Sequence, residues 1–148
     1  DRLIAMRPGD PFYLELKGQI LFESGRAEAA LPLYREALER APGEVLLKAG
    51  LGRVLLAQGT AAADREALAV LEDARRTDAR DASMLRNLAI AYDRAGNRPM
   101  AALATAERFA VAGETEDAVL HAGRAASALP EGSPGWLRAQ DILALEDR

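Results

Sequence analysis

The feature that most constrains this chain is a repeat of 34 residues. Gly18 and Gly52 are 34 apart, and so are Gly25 and Gly59. Around Gly18 the series is Leu14, Gly18, Leu21, Gly25, Ala30, Tyr34, Ala37, Pro42; its first half returns as Leu51, Gly52, Leu55, Gly59. The second half returns three residues late, as Ala67, Leu71, Ala74, Ala79, which places an insertion between Thr60 and Ala63. A third unit reads Leu88, Ala89, Tyr92, Gly96, followed by Ala106, Phe109, Gly113, Ala118, Ala122, Ala125, Pro130. Gly96 and Gly113 are 17 apart, half a period, so the register slips there. A chain that repeats at this spacing consists of small units, each burying one face on the next.

Each unit reads as two helices. One carries a small residue (Gly18, Gly52, Ala89, Ala106) where its partner crosses closely. The other carries a stripe: Ala30-Leu31-Tyr34-Ala37, Ala67-Leu68-Leu71-Ala74, Ala118-Val119-Ala122-Ala125. The i, i+1, i+4, i+7 spacing is one face of a 3.6-residue helix. Composition agrees: 32 alanines and 5% aromatics favour helix over sheet. Glycines 25, 59, 96 and 113 fall between stripes, where a helix end needs positive φ. Pro42 and Pro130 close units because proline cannot continue a helix interior.

The two ends carry further expectations. Pro8 precedes Gly18 by ten residues, as Pro42 precedes Gly52, so residues 1–9 read as the remnant of an earlier repeat. With Asp1 in place of Met, that remnant leads to the expectation of a piece cut from a longer array. At the far end Ser133 and Pro134 are an N-cap and a first-turn proline. They open an expected capping helix over 133–147.

Several classes of chemistry are excluded by residue type. The absence of cysteine removes disulfides and thiol catalysis and leaves the compartment open. The net charge of −4 is mixed in sign along the chain, which is no footprint for nucleic acid. No apolar run approaches the roughly 18 residues of a membrane span. His121, the one histidine, aligns with Leu33 and Val70 and reads as a packed helix residue, since zinc disfavours carboxylates as its only other ligands. Gly132-Ser133-Pro134-Gly135 lacks the strand that a nucleophile turn requires, and Gly50-Leu51-Gly52 lacks the strand and spacing of a phosphate loop. Glu114, Glu116 and Asp117 suit the positive end of a helix. The chain is therefore read as non-catalytic, with no metal or cofactor of its own.

These residues resemble the tetratricopeptide repeat (TPR) pattern of paired helices. The usual tryptophan of the first helix is replaced by Leu14, Lys48 and Leu85. The resemblance implies an all-α, right-handed α-solenoid of about eight antiparallel helices. Unit 1 is read over 11–43, unit 2 over 44–80, and unit 3 over 81–113. The last merges by the half-repeat slip into unit 4 over 99–132, and the stretch from about Pro99 to Ala112 fits both helix types. First helices line the concave face in such proteins, which makes Glu15, Leu16, Gln19, Glu23, Arg53, Arg86, Asn87, Ile90, Asp93 and Arg94 the candidate partner-binding groove. A solvated helix face is the plain alternative at each position. TPR domains that clamp a chaperone's C-terminal carboxylate place a lysine and an asparagine where this chain has Glu15 and Gln19, so that ligand is not expected.

A narrower resemblance rests on Pro11-Phe12-Tyr13-Leu14-Glu15-Leu16-Lys17-Gly18-Gln19, Leu88-Ala89-Ile90-Ala91-Tyr92, Ala101-Ala102-Leu103-Ala104-Thr105-Ala106-Glu107, and the closing Gly132-Ser133-Pro134-Gly135-Trp136-Leu137-Arg138-Ala139-Gln140-Asp141-Ile142-Leu143. Together they resemble the C-terminal TPR region of bacterial BepA-like (Ste24-type) zinc metalloproteases. The resemblance implies a periplasmic substrate-recognition domain whose partners are extended polypeptide, its own protease domain and outer-membrane assembly proteins. The zinc would belong to an HExxH domain absent from this sequence. The alternative is a free-standing TPR adaptor.

Overall fold

Each of the four break glycines closes a helix. The structure, a computed structural model, describes residues 9–148. The expected remnant of an earlier repeat falls mostly on residues 1–8, outside the described residues. Gly25, Gly59, Gly96 and Gly113 have φ of 77°, 70°, 77° and 78°, the left-handed conformation in which a side chain would be strained. At three of them the same closure forms: Arg26, Asn97 and Glu114 donate their amides to Leu21, Tyr92 and Phe109 at 2.8–2.9 Å. That bond, reaching back past the glycine, satisfies a carbonyl the helix leaves open.

The described residues are all helical, with no strand among them. In order they form α1 (Pro11–Glu23), α2 (Ala27–Arg40), α3 (Val45–Leu56), α4 (Ala61–Thr77), α5 (Ala82–Arg94), α6 (Arg98–Val111), α7 (Thr115–Ala128) and α8 (Pro134–Leu143), then a 3-10 turn over Ala144–Asp147. The capping helix thus ends earlier than its expected limit, and its last four residues tighten into the 3-10 turn. Starts are marked by short polar side chains. Asp10, Asp81, Asn97 and Ser133 accept from backbone amides of Phe12, Ser83, Met100 and Trp136. The insertion expected at Thr60–Ala63 is absorbed as helix: α4 has 17 residues against 14 in α2, and the three extra residues extend its first turn.

The chain divides into two compact units, one through Thr77 and one from Asp78. In the first, α1 packs on α2, α2 on α3 and α3 on α4. Tyr34 of α2 is almost wholly buried, with its ring between Gly18 of α1 and Gly50 of α3. A Cβ at Gly18 would come within 2.8 Å of the ring, and one at Gly50 would run into its opposite edge. Gly52 makes the equivalent room for Leu71 of α4. The stripes behave as read: Ala30, Tyr34, Ala37, Ala67, Leu71 and Ala74 are buried. Lys48, at a position where Leu14 and Leu85 are core residues, is also nearly buried. Its ammonium meets Asp73 of α4 at 2.7 Å, and this contact holds the Asp73 carboxyl below the usual range.

In the second unit α5 packs on α6, α6 on α7, and α8 on both α6 and α7. Its core joins Leu103, Ala106, Ala118, Ala122, Ala125, Ala139 and Ile142. Arg138 of α8 pairs with the nearly buried Glu107 of α6 at 3.4 Å, which fixes the capping helix by charge as well as by packing.

Two glycine substitutions separate close approach from helix propensity. Gly50→Ala should lower stability by up to about 2 kcal/mol, because overpacking costs about 1–3 and alanine's propensity returns about 1. Gly123 lies in α7 with open space around it, so Gly123→Ala should raise stability by about 1 kcal/mol. Urea unfolding of both variants checks the signs.

Candidate functional site

Residues three or four apart on α1 form one row: Phe12, Glu15, Gln19, Phe22 and Glu23. On α3 the 34-residue repeat sets Leu46 opposite Phe12 and Arg53 opposite Gln19. The two rows meet. The Arg53 guanidinium lies over the Phe22 ring, 4.4 Å from its centroid. Beneath them is Tyr34, whose hydroxyl pKa is raised by burial while Arg53 pulls the other way. Arg53 is thus held between a stacked ring and a phenol, and a guanidinium so oriented loses less freedom when it binds a further group.

Glu15 is half-buried beside Arg53. Burial and then the charge of Glu44 push its carboxyl above the usual range, with Arg53 opposing. Glu44 precedes α3, is exposed, and makes no capping hydrogen bond with its side chain. Gln19 donates its side-chain amide to Glu23 at 2.9 Å. Of the sequence candidates, Glu15, Gln19, Glu23 and Arg53 therefore share one face of the first unit. Leu16 is half-buried on the same helix.

The remaining candidates, Arg86, Asn87, Ile90, Asp93 and Arg94, all lie on α5 of the second unit. Arg86, Ile90 and Arg94 follow one another at four-residue steps and are exposed, whereas Asn87 is half-buried. From the sequence Phe12 was expected to be uncovered but was not placed in the groove, and Phe22, Glu44 and Leu46 were passed over. Phe12 and Leu46 were findable, because they are exposed, apolar and one repeat apart. Phe22 was findable only as the residue three after Gln19, on the same helix row.

His121 is packed, as its place in the stripe implied. Its ring stacks on Phe109 with centroids 5.4 Å apart and planes 20° from parallel. Burial lowers its pKa, Arg124 and Arg108 push the same way, and Asp117 opposes. Among the described residues no group of three or more His, Cys, Asp or Glu side chains is placed to hold a metal ion. No helix among them is long and apolar enough to cross a membrane.

Comparison with known proteins agrees with the helical fold. The tetratricopeptide repeat family matches residues 2–131. No curated protein matches the chain in sequence. The fold is similar to that of MamA, with a TM-score of 0.69 at 14% identity, covering 99% of this chain and 85% of that one. A thermophilic TPR protein from Thermus thermophilus is similar with a TM-score of 0.58 at 20% identity, covering 96% of this chain and 86% of that one. YrrB, described as a TPR protein with an unusual peptide-binding site, is similar with a TM-score of 0.59 at 16% identity, covering 99% of this chain and 82% of that one.

Glu15 and His121 give opposite pH signatures. Glu15 holds its proton more tightly when folded, so its contribution is full below the unfolded value near 4.5 and is lost as pH rises through the raised one. Glu15→Gln should therefore raise Tm at pH 7, with the gain vanishing in acid. His121 holds its proton less tightly when folded, so stability falls as pH drops below about 6.5. His121→Gln should flatten that decline. Thermal melts across pH 4–8 check both.

Proposed function

Because the chain belongs to the tetratricopeptide repeat family, whose members bind proteins or peptides, we propose that each unit offers its first helices to a protein or peptide partner: α1 and α3 in the first unit, α5 in the second. The observation that carries this reading is Arg53, fixed over Phe22 and beside Tyr34 on a face where Glu15, Gln19 and Glu23 also converge. A stacked guanidinium keeps in-plane donors that suit backbone carbonyls or side-chain oxygens of an extended polypeptide. On α5, Arg86 and Asn87 supply the same combination, with the asparagine amide able to bond a main chain as donor and acceptor. The peptide-binding site named for YrrB supports a peptide ligand for this fold.

The finer reading is that this domain serves a periplasmic zinc metalloprotease as its non-catalytic substrate-recognition part. The closing run from Gly132 to Leu143 supports it by its resemblance to BepA-like proteases. Its partners would then be outer-membrane assembly proteins and the protease domain itself, and the zinc would be bound there. The residues encoded ahead of Asp1 test this directly. An HExxH motif behind a signal peptide is expected, and a sequence with neither would leave a free-standing adaptor.

The surface assignment has its own test. Exposed charges contribute roughly 0–1 kcal/mol per pair to stability, so replacing Arg86 and Asn87 with alanine should move Tm by no more than about 4 °C. Capture of envelope proteins in a pull-down should fall. Unchanged capture at unchanged Tm would remove α5 from the binding surface.

A further inference from the structure

Resting on the assignment of the α1–α3 face as a binding surface, we infer that this face takes an extended segment in which a lysine or arginine stands two residues from a bulky apolar side chain, both on one side of the strand. Two independent features of the first unit lead there.

The first is the charge balance. Glu15, Glu23 and Glu44 face a single guanidinium, and Arg53 is already engaged by the Phe22 ring and the buried Tyr34. Glu15 on α1 and Glu44, just ahead of α3, repel each other. A ligand cation placed between them relieves that repulsion, whereas a ligand carboxylate adds to it. Arg53 can still bond the ligand's carbonyls, a role that needs no negative partner.

The second is apolar. Phe12 and Leu46 are 64% and 65% exposed, the two most exposed large hydrophobic residues of the described chain. They are 34 residues apart, so they hold the same register on neighbouring first helices, one turn or less from Glu15 and Glu44. Exposed single hydrophobic residues are ordinary, but a register pair beside mutually repelling carboxylates matches a ligand that carries both chemistries. In an extended strand successive side chains point to opposite faces, so a cation and an apolar side chain that meet one surface stand two residues apart.

The experiment uses residues 1–148 and fluorescence anisotropy with labelled heptapeptides of the form Ser-Leu-Gly-Lys-Gly-Leu-Ser, alongside analogues with glutamate or glutamine at the centre and with serine in place of both leucines. The lysine peptide should bind about tenfold more tightly than the glutamate peptide, the scale of one interfacial charge pair. The preference should shrink at high salt and disappear in the Glu15→Gln, Glu44→Gln double variant. Phe12→Ser with Leu46→Ser should weaken the leucine peptides and leave the serine peptide unchanged. Circular dichroism verifies that each variant is folded, and Arg35→Ala, on the second helix, serves as the control that binds as the parent does. Equal or tighter binding of the glutamate peptide, still weakened by Arg53→Ala, would overturn the basic ligand while keeping the face. Binding insensitive to every substitution on α1 and α3 would overturn the face as well, and failure of all the peptides to bind would overturn the inference.

Discussion

The first unit depends on one close approach, in which Tyr34 occupies space that exists only because residues 18 and 50 have no side chain. A ring confined on both edges cannot move away from one helix without pressing the other, so three helices are set at once. Interiors are packed densely enough that such a fit is felt at the level of a single methyl group. The same ring then reaches Arg53, and through it the exposed face. Packing and the proposed binding face therefore share an element. The residue that spaces α1 from α3 also helps to hold the cation that a ligand would meet.

The second unit solves the same problem with different residues. Alanines at 106, 118, 122, 125 and 139 let its helices come together around Leu103 and Ile142. Gly135 admits Leu129 and Met100 at 3.2 Å from where its Cβ would lie, which seats α8 closely. Buried polar groups appear in each unit once the apolar stripe is interrupted, and each is paired: Lys48 with Asp73, Glu107 with Arg138. A buried charge without such a partner would be strongly destabilising.

Most of the fold was legible because helix periodicity and backbone chirality are written locally. The spacing of Ala30, Tyr34 and Ala37 fixes a face, and a glycine that must adopt positive φ marks an end wherever it lies. The length of α4 was harder to read, because three added residues can enter a loop or a helix, and only packing decides. The face of the site was half legible. The resemblance to TPR proteins, whose first helices line the groove, points to Glu15, Gln19 and Arg53, whereas the stacking of Arg53 on Phe22 depends on how α1 and α3 are spaced, which Tyr34 controls. Glu44 was hidden because it precedes its helix, outside the periodic positions.

The central claim is that a partner binds on the first-helix face and not elsewhere on the first unit. Amide NMR during titration with the lysine-centred peptide tests it most directly, because every backbone position reports at once. The account predicts the largest shifts at Glu15, Gln19, Phe22 and Arg53, with small ones on the second helices. Shifts centred instead on Arg35, Leu38 and Glu66, which line a cleft between the second helices, would contradict it.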